Sequence, residues 1–192
     1  ILSSAPGPDG IFPRTVFLTA DLSAKCFTLI FNKSMSDNYL PEDWKKSFVI
    51  PFCKKGNKNS LDNYRPISIT CCVTKIMEHI IASQITNYLF SNDIISSRQF
   101  GFRSGSSTTI LMVALSDYII NTLDGNEIDL ITIDLRKAFD SVNHSALIFK
   151  LNKYNIDYST IVWIEQILTG RSQAVSYNNI ISNYIDVKCG VP

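Results

Sequence analysis

The chain has 192 residues, of which 45% are hydrophobic and 18% charged, and its formal net charge at pH 7 is +1. This composition is typical of a folded globular protein and excludes an intrinsically disordered chain. Because the net charge is close to zero, any signal for nucleic-acid binding must come from local clusters of basic residues. No apolar run approaches the roughly 18 to 20 residues that a membrane span requires, so we expect no membrane segment.

The first half predicts helices separated by a pair of strands. Turn-forming residues at 5–10 precede a helical stretch that Pro41 ends. Residues 47–52 and 64–69 predict strands, and Pro66 places the second at a sheet edge or in an irregular extended segment. The remaining elements are a polar loop over 54–59 and a helix over 73–90 with one apolar face.

The second half continues this mixture of helices and short strands, which predicts an α+β fold. Ser106, Ser107 and Thr108 are suited to cap a helix that runs to about Leu123. The other predicted elements are a turn at Asp124-Gly125, a core-buried strand over 128–134, helices over 145–153 and 159–168, and a hairpin of 173–177 and 184–188 that turns at Asn178-Asn179.

The cysteines and histidines indicate neither a disulfide framework nor a zinc site. The number of cysteines is odd, Cys71 and Cys72 are adjacent, and no CxxC spacing occurs. The two histidines, His79 and His144, are far apart in sequence. The thiol pattern favours a reducing, intracellular compartment. Since the chain begins without Met or a signal-peptide pattern, we expect a piece of a longer protein.

Basic residues cluster between Lys45 and Arg65, where six of the 18 Lys and Arg residues face one acid, Asp62. Aromatic residues are interleaved with them. Such a loop suits phosphate binding, because ammonium groups neutralise charge and a glycine allows close backbone approach. A solvated loop whose aromatic residues belong to the core explains the same pattern equally well. Arg65 is the more specific element, since its planar fork grips phosphate oxygens in two places.

The most specific candidate site is the apolar segment that ends at Asp134. A carboxylate at a strand end is a suitable ligand for Mg²⁺ when substrate phosphates complete the shell. Arg136 and Lys137 would offer N–H groups and charge to a triphosphate, and Phe139 would form a wall beside the sugar. The alternative is a capping role for Asp134, with Asp140 capping the next helix. One acid alone does not make a two-metal site.

Together, several segments in order resemble the reverse transcriptases of non-LTR (LINE, jockey-like) retrotransposons. The matching segments are Ala5-Pro6-Gly7-Pro8-Asp9-Gly10, Trp44-Lys45, Val49-Ile50-Pro51, Lys54-Lys55-Gly56, Asn63-Tyr64-Arg65-Pro66-Ile67-Ser68, Gln99-Phe100-Gly101-Phe102-Arg103-Ser104-Gly105-Ser106-Ser107-Thr108 and Asp134-Leu135-Arg136-Lys137-Ala138-Phe139-Asp140-Ser141-Val142-Asn143-His144. The final Gly190-Val191-Pro192 is similar to the start of the family's next block, which continues as Gln-Gly-Ser.

The resemblance implies a partial right-hand polymerase, with fingers over 1–123 and the beginning of the palm over 124–192. The implied function is Mg²⁺-dependent DNA synthesis from deoxynucleoside triphosphates on an RNA template and a DNA primer, in the cytoplasm and nucleus. Asp134 would be the catalytic carboxylate and would bind the metal with the Leu135 carbonyl. The implied substrate-binding residues are Lys54, Lys55, Arg65, Arg136, Lys137, Ala138 and Phe139, with Phe139 as the steric gate. The implied template-binding residues are Gln99, Gly101 and Arg103.

The chain departs from the family in one important way, because no two adjacent aspartates occur in it. The family's second catalytic block, an aromatic-Ala-Asp-Asp hairpin, is therefore absent. We expect this polypeptide to be inactive alone. An alternative is a decayed remnant that acts at most as a nucleic-acid-binding domain, and the oligomeric state is left open.

Overall fold

The computed structural model describes residues 5–54, 56–123 and 127–191. The chain divides into two compact units: Ile1–Ile85 with Lys137–Pro192, and Thr86–Arg136. Over the described residues, six α-helices accompany one five-stranded sheet, so the predicted mixture of helices and strands is confirmed. None of the helices in these ranges combines the length and apolar character that a membrane crossing demands.

The sheet lies in the first unit and has the strand order β2-β1-β3-β4, with β5 also paired to β3. Its strands are β1 (Lys46–Cys53), β2 (Tyr64–Thr70), β3 (Ser172–Tyr177), β4 (Ile180–Ile181) and β5 (Ile185–Asp186). β1 is antiparallel to β2 and parallel to β3. Pro66 lies on β2 at the sheet edge, as predicted, because an edge strand tolerates a missing N–H.

The helices agree with the predicted ones, except that the helical stretch predicted before Pro41 is divided into two helices at Thr19. They are α1 (Pro13–Leu18), α2 (Ala20–Asp37), α3 (Cys72–Ser91), α4 (Thr108–Thr122), α5 (His144–Lys153) and α6 (Tyr158–Leu168). The Ser107 hydroxyl accepts a hydrogen bond from the Ile110 N–H at 3.2 Å, which confirms the predicted cap of α4. Asn143, rather than Asp140, caps α5, since its side-chain oxygen accepts from the Ala146 N–H at 2.9 Å.

The C-terminal hairpin corrects one boundary. Asn178 and Asn179 both have positive φ, 49° and 63°, which is the conformation of a tight two-residue hairpin turn. The turn prediction is therefore confirmed. However, the second strand begins at once with Ile180–Ile181, because so short a turn brings Ile180 directly opposite Tyr177. Within the predicted strand 184–188, only Ile185–Asp186 pairs, with Ser172 and Gln173 of β3.

The predicted strand over 128–134 is wrong. These residues form no strand, and Ile131 and Ile133 are 82% and 84% exposed. A strand requires a neighbour to complete its backbone hydrogen bonds, and no strand among the described residues pairs with this segment. The alternation of apolar and polar residues indicated a strand, but no described strand lies beside this segment to pair with it. The predicted turn at Asp124-Gly125 lies outside the described residues.

The core of the first unit is centred on Trp163 of α6, which is 2% exposed. It packs in a cluster with Leu40, Met77, Ile167 and Leu168. The Trp163 indole Nε1 donates to the Ser34 hydroxyl at 3.2 Å, and that hydroxyl donates to the Tyr39 carbonyl at 2.7 Å. The hydrogen bonds satisfy the polar edge of a buried indole and attach the end of α2 to α6.

Replacing Trp163 with Ala should destabilise the chain by about 3–5 kcal/mol, because the change removes a large buried side chain and leaves a cavity. Urea unfolding followed by circular dichroism measures this loss. Leu61→Ala is the control, since Leu61 is 88% exposed and its loss should cost less than about 0.5 kcal/mol. Equal losses for the two variants would contradict the assignment of the core.

Candidate functional site

Two of the basic residues predicted to bind phosphate, Lys54 and Arg65, lie in the β1–β2 hairpin. Arg65 of β2 is opposite Phe52 of β1, and the Lys54 N–H donates to the Asn63 carbonyl at 2.7 Å just beyond the strand. Side chains alternate between the two faces of a strand, so Arg65 and Phe52 share one face. Lys54 and Arg65 are both exposed, and Lys55 lies outside the described residues.

The hairpin loop is ordered by its own hydrogen bonds. The Asn63 side-chain amide donates to the Asn57 carbonyl at 2.9 Å, and the Tyr64 hydroxyl donates to the Lys58 carbonyl at 3.0 Å. A Cβ added at Gly56 would lie 2.9 Å from the Asn63 side chain. The loop is thus compact around its glycine and asparagines, and Lys54 and Lys58 are exposed at its surface.

The aromatic residues of the basic stretch are divided between core and surface. Trp44 packs against the Trp163 core, and its ring meets that of Phe31 edge-on at 6.0 Å between centroids. Phe52 is instead 56% exposed, next to exposed Ile50 and Ile67 on the same sheet face. The structure therefore combines both sequence interpretations: Trp44 belongs to the core, while Phe52 and Arg65 form an open apolar and basic face.

Two motifs that are distant in sequence are hydrogen-bonded to each other in the first unit. The Val191 N–H donates to the Phe139 carbonyl at 3.0 Å, and the Gly190 N–H donates to the Val142 carbonyl at 2.9 Å. His144 Nε2 lies 2.7 Å from the Gly190 carbonyl oxygen. We call this set of contacts the 139–191 clamp. The clamp joins residues 139–144 to the Gly190-Val191 motif. The order of the motifs in the sequence did not predict this contact.

The clamp holds a tight turn at residues 137–141. The Ser141 N–H donates to the Lys137 carbonyl at 3.0 Å, and the Ser141 hydroxyl donates to the Ala138 carbonyl at 3.3 Å. Lys137 has a positive φ of 52°, an uncommon conformation for a residue with a side chain. The turn presents Lys137, Ala138 and Phe139 at the surface, and the Phe139 side chain is 56% exposed.

Asp134, Leu135 and Arg136 belong to the second unit and lie in exposed chain without regular structure, apart from Arg136, which begins a turn. In the part of the chain that the structure describes, no three His, Cys, Asp or Glu side chains come together as metal ligands. Asp134 and the Leu135 carbonyl are suitable oxygen donors for Mg²⁺, but these two do not make a complete cation site.

The predicted template-binding residues also lie in the second unit, in a loop after α3. Arg103 Nη1 donates to the Ser97 carbonyl at 3.2 Å, and the guanidinium lies over the Phe90 ring, 5.2 Å from its centroid. The Gln99 side-chain amide donates to the Gly101 carbonyl at 3.3 Å. Arg103 therefore contributes to the internal structure of the loop, a role that the motif alone did not reveal.

Sequence reasoning missed a buried arginine that directly precedes β3 and lies close to a partly buried carboxylate. Arg171 is only 5% exposed, and burial lowers its pKa while the nearby Glu78 carboxylate opposes that shift. Burial raises the pKa of Glu78, and the charges of Arg171 and Lys75 oppose the increase. Arg171 also lines a cavity of about 300 Å³ whose other lining residues include Asp140 and Gly190. An arginine next to a strand carries no sequence signal for such burial.

Comparison with known proteins identifies the class of protein. Residues 53–192 match the family model described as reverse transcriptase (RNA-dependent DNA polymerase), and the chain belongs to this family. The predicted resemblance to non-LTR retrotransposon enzymes is confirmed by the relatives below.

The chain is similar to three Drosophila melanogaster proteins. It is 30% identical over 192 residues to the probable RNA-directed DNA polymerase from transposon X-element, a match that covers 99% of this chain and 21% of that protein. It is 28% identical over 193 residues to the RNA-directed DNA polymerase from mobile element jockey, with 100% and 21% covered. The corresponding protein of transposon BS is 30% identical over 154 residues, with 79% and 17% covered. The chain thus spans about a fifth of the length of these relatives.

Gly190→Ala should destabilise the clamp for two separable reasons. Gly190 has φ of +82°, and an added Cβ would lie 2.8 Å from the Asp140 carbonyl oxygen. Gly10 is a matched control, because it has φ of +68° but nothing within 4 Å of an added Cβ. We expect Gly10→Ala to cost about 1–2 kcal/mol from backbone strain, and Gly190→Ala at least about 1 kcal/mol more from the clash. Urea unfolding measures both, and equal losses would contradict the close approach of Gly190 to Asp140.

Proposed function

We propose that this chain is part of an RNA-directed DNA polymerase of a non-LTR retrotransposon, which extends a DNA primer on an RNA template from deoxynucleoside triphosphates. The observation that carries the proposal is the family match over residues 53–192, together with the ordered motifs along the whole chain. The 139–191 clamp supports it, because two of those motifs meet in the folded unit.

The proposal includes a right-hand architecture, with residues 1–123 as fingers and 124–192 as the beginning of the palm. This functional division follows the order of the family's motifs. The compact units of the structure divide the chain elsewhere, at 85/86 and 136/137, and each unit has its own contacts. By the same resemblance, the proposal places such a polymerase in the cytoplasm and nucleus.

Asp134 is proposed as the catalytic carboxylate, with the Leu135 carbonyl as a second oxygen donor to Mg²⁺. When bound, the cation would stabilise negative charge on the reacting phosphate. The proposed site also needs further carboxylates, because Asp134 and Leu135 do not complete a cation site by themselves. What this chain contributes by itself is an exposed carboxylate five residues before Phe139.

The nucleotide-binding residues of the proposal fall into two groups. Lys54, Lys55 and Arg65 of the hairpin would neutralise the triphosphate, and exposed Arg65 is suited to grip it in two places. Arg136, Lys137 and Ala138 would follow the phosphates with backbone N–H groups and positive charge. Phe139 would exclude a ribose 2′-hydroxyl by steric contact.

The template-binding proposal concerns the loop that contains Gln99, Gly101 and Arg103. Two of these residues are joined by the Gln99–Gly101 hydrogen bond, and the contacts of Arg103 with Phe90 and Ser97 stabilise the loop. A preformed loop loses little conformational entropy on binding, which favours contact with an RNA strand.

The test uses the polymerase encoded by the reading frame that contains these residues. In primer extension on an RNA template with Mg²⁺, it should synthesise DNA, whereas the 192-residue chain alone should not. The isolated chain should still bind an RNA–DNA primer–template, with an affinity that falls as salt rises. Failure of the whole polymerase to extend the primer, with binding retained, would favour a nucleic-acid-binding remnant instead.

Asp134→Asn should abolish DNA synthesis by the polymerase, because the amide removes the negative charge that binds the cation. Thermal stability should not change, since Asp134 is exposed. Asp129→Asn is the matched control, as Asp129 is an exposed acid in the same irregular segment and outside the motif. Primer extension measures activity; undiminished synthesis by Asp134→Asn would refute the catalytic assignment.

Arg65→Ala should raise the KM for deoxynucleotides about tenfold or more, because a charge-assisted contact to phosphate is lost. The melting temperature should stay within a degree or two of wild type, since the side chain is exposed. Arg14→Ala, at an exposed arginine in α1, is the control and should leave KM unchanged. Steady-state kinetics distinguish the two variants, and an unchanged KM in Arg65→Ala would count against the phosphate-binding role.

A further inference from the structure

We propose that His144 is a positioning residue: it fixes the turn that bears Phe139 against Gly190 and Val191, and so contributes to the selection of deoxyribose over ribose. The inference rests on the proposed function, because sugar selection has meaning only in a polymerase. It goes beyond that function by assigning a role to a side chain that neither binds substrate nor belongs to the catalytic carboxylates.

The first observation is the hydrogen bond between His144 Nε2 and the Gly190 carbonyl oxygen, at 2.7 Å. A carbonyl oxygen only accepts, so Nε2 carries the hydrogen and donates it. The bond connects residues 46 positions apart in sequence and is partly buried. It is therefore a tertiary contact with restricted access to competing water, rather than a local contact of an exposed side chain.

The His144 imidazole is attached to a helix that is capped and packed against the core. His144 is the first residue of α5, whose N-terminus is capped by the Asn143 side chain. Farther along α5, Leu147 and Ile148 pack against the Trp163 core. The position of His144 is thus determined by the core of the first unit, and its hydrogen bond transmits that position to the Gly190 carbonyl.

Gly190 in turn determines the backbone of the turn. Its N–H donates to the Val142 carbonyl, and the next N–H, that of Val191, donates to the Phe139 carbonyl. The close approach of Gly190 to Asp140 leaves no room for a side chain at this position. His144 therefore stabilises the Gly190-Val191 segment, and this segment in turn holds Phe139 through the hydrogen bond from the Val191 N–H to the Phe139 carbonyl.

In the proposed function, sugar selection depends on this backbone because it carries the Phe139 side chain, which is 56% exposed. The location of the ring relative to a nucleotide therefore changes when the backbone of residues 137–141 moves. Loosening the clamp should let the ring retreat, and a ribonucleotide would then be admitted more often. Small displacements of positioning groups are known to change reactivity strongly.

The first experiment measures the clamp in the 192-residue chain by amide hydrogen exchange at Gly190 and Val191. His144→Asn is too short to reach the Gly190 carbonyl and should accelerate both exchange rates about fivefold or more. His144→Gln places an amide N–H close to the position of Nε2 and should restore slow exchange. His79→Asn, at the other histidine of the chain and exposed on α3, should leave both rates unchanged.

The second experiment measures sugar selection in the polymerase, as the ratio of kcat/KM for a deoxynucleotide to that for its ribonucleotide. We expect His144→Asn to lower this ratio about fivefold, His144→Gln and His79→Asn to retain it, and Phe139→Val to lower it further as the benchmark. Thermal stability of every variant is measured alongside, because rescue by Gln separates positioning from a general loss of fold.

The outcomes are distinct. A lower ratio in His144→Asn with rescue in His144→Gln supports the inference. Faster amide exchange in His144→Asn with an unchanged ratio overturns the positioning role while the proposed function stands. An unchanged exchange rate overturns the clamp itself. Absence of DNA synthesis by the wild-type polymerase overturns the proposed function and the role of His144 in sugar selection with it.

Discussion

The first unit depends on the parallel pairing of β1 with β3. Residues 46–49 of one strand align with 172–175 of the other, so two parts of the chain more than 120 residues apart form one sheet. β1 continues into the basic hairpin, and β3 pairs with β5, which leads to Gly190. Without this pairing, the β1–β2 hairpin that carries Arg65 and the 139–191 clamp would not belong to one sheet framework. A cavity lined by residues of both, including Pro66, Asp140 and Gly190, shows that they are neighbours.

The second unit has a different physical character. None of its described residues is buried, and α4 exposes apolar side chains such as Tyr118 and Ile120 at 65% and 70%. Apolar side chains that keep their contact with water contribute little to folding. The Asp134 carboxylate follows such a segment, in which Leu130, Ile131 and Ile133 are exposed. Within the described residues, its position is therefore set by the backbone and by chain connectivity, with little help from side-chain packing.

Local elements could be predicted because their signals are local. Ser107 caps α4, and two asparagines form the tight hairpin turn, because side chains act within a few residues of their own backbone. Motif order likewise indicated the family, since it is a property of the chain alone. The candidate site was predicted less completely. The motif around Arg103 is present, but its contacts with Phe90 and Ser97 depend on a folded loop.

The sequence by itself determined the helices, the two strands of the basic hairpin and the family, through caps, periodicity and ordered motifs. Only the tertiary structure decided that residues 128–134 form no strand, that Arg171 is buried near Glu78, and that His144 contacts Gly190. The physical reason is the same for all three: each feature depends on residues that are distant in the sequence. A strand needs a neighbouring strand, a buried charge needs a surface that encloses it, and a long-range hydrogen bond needs a distant partner.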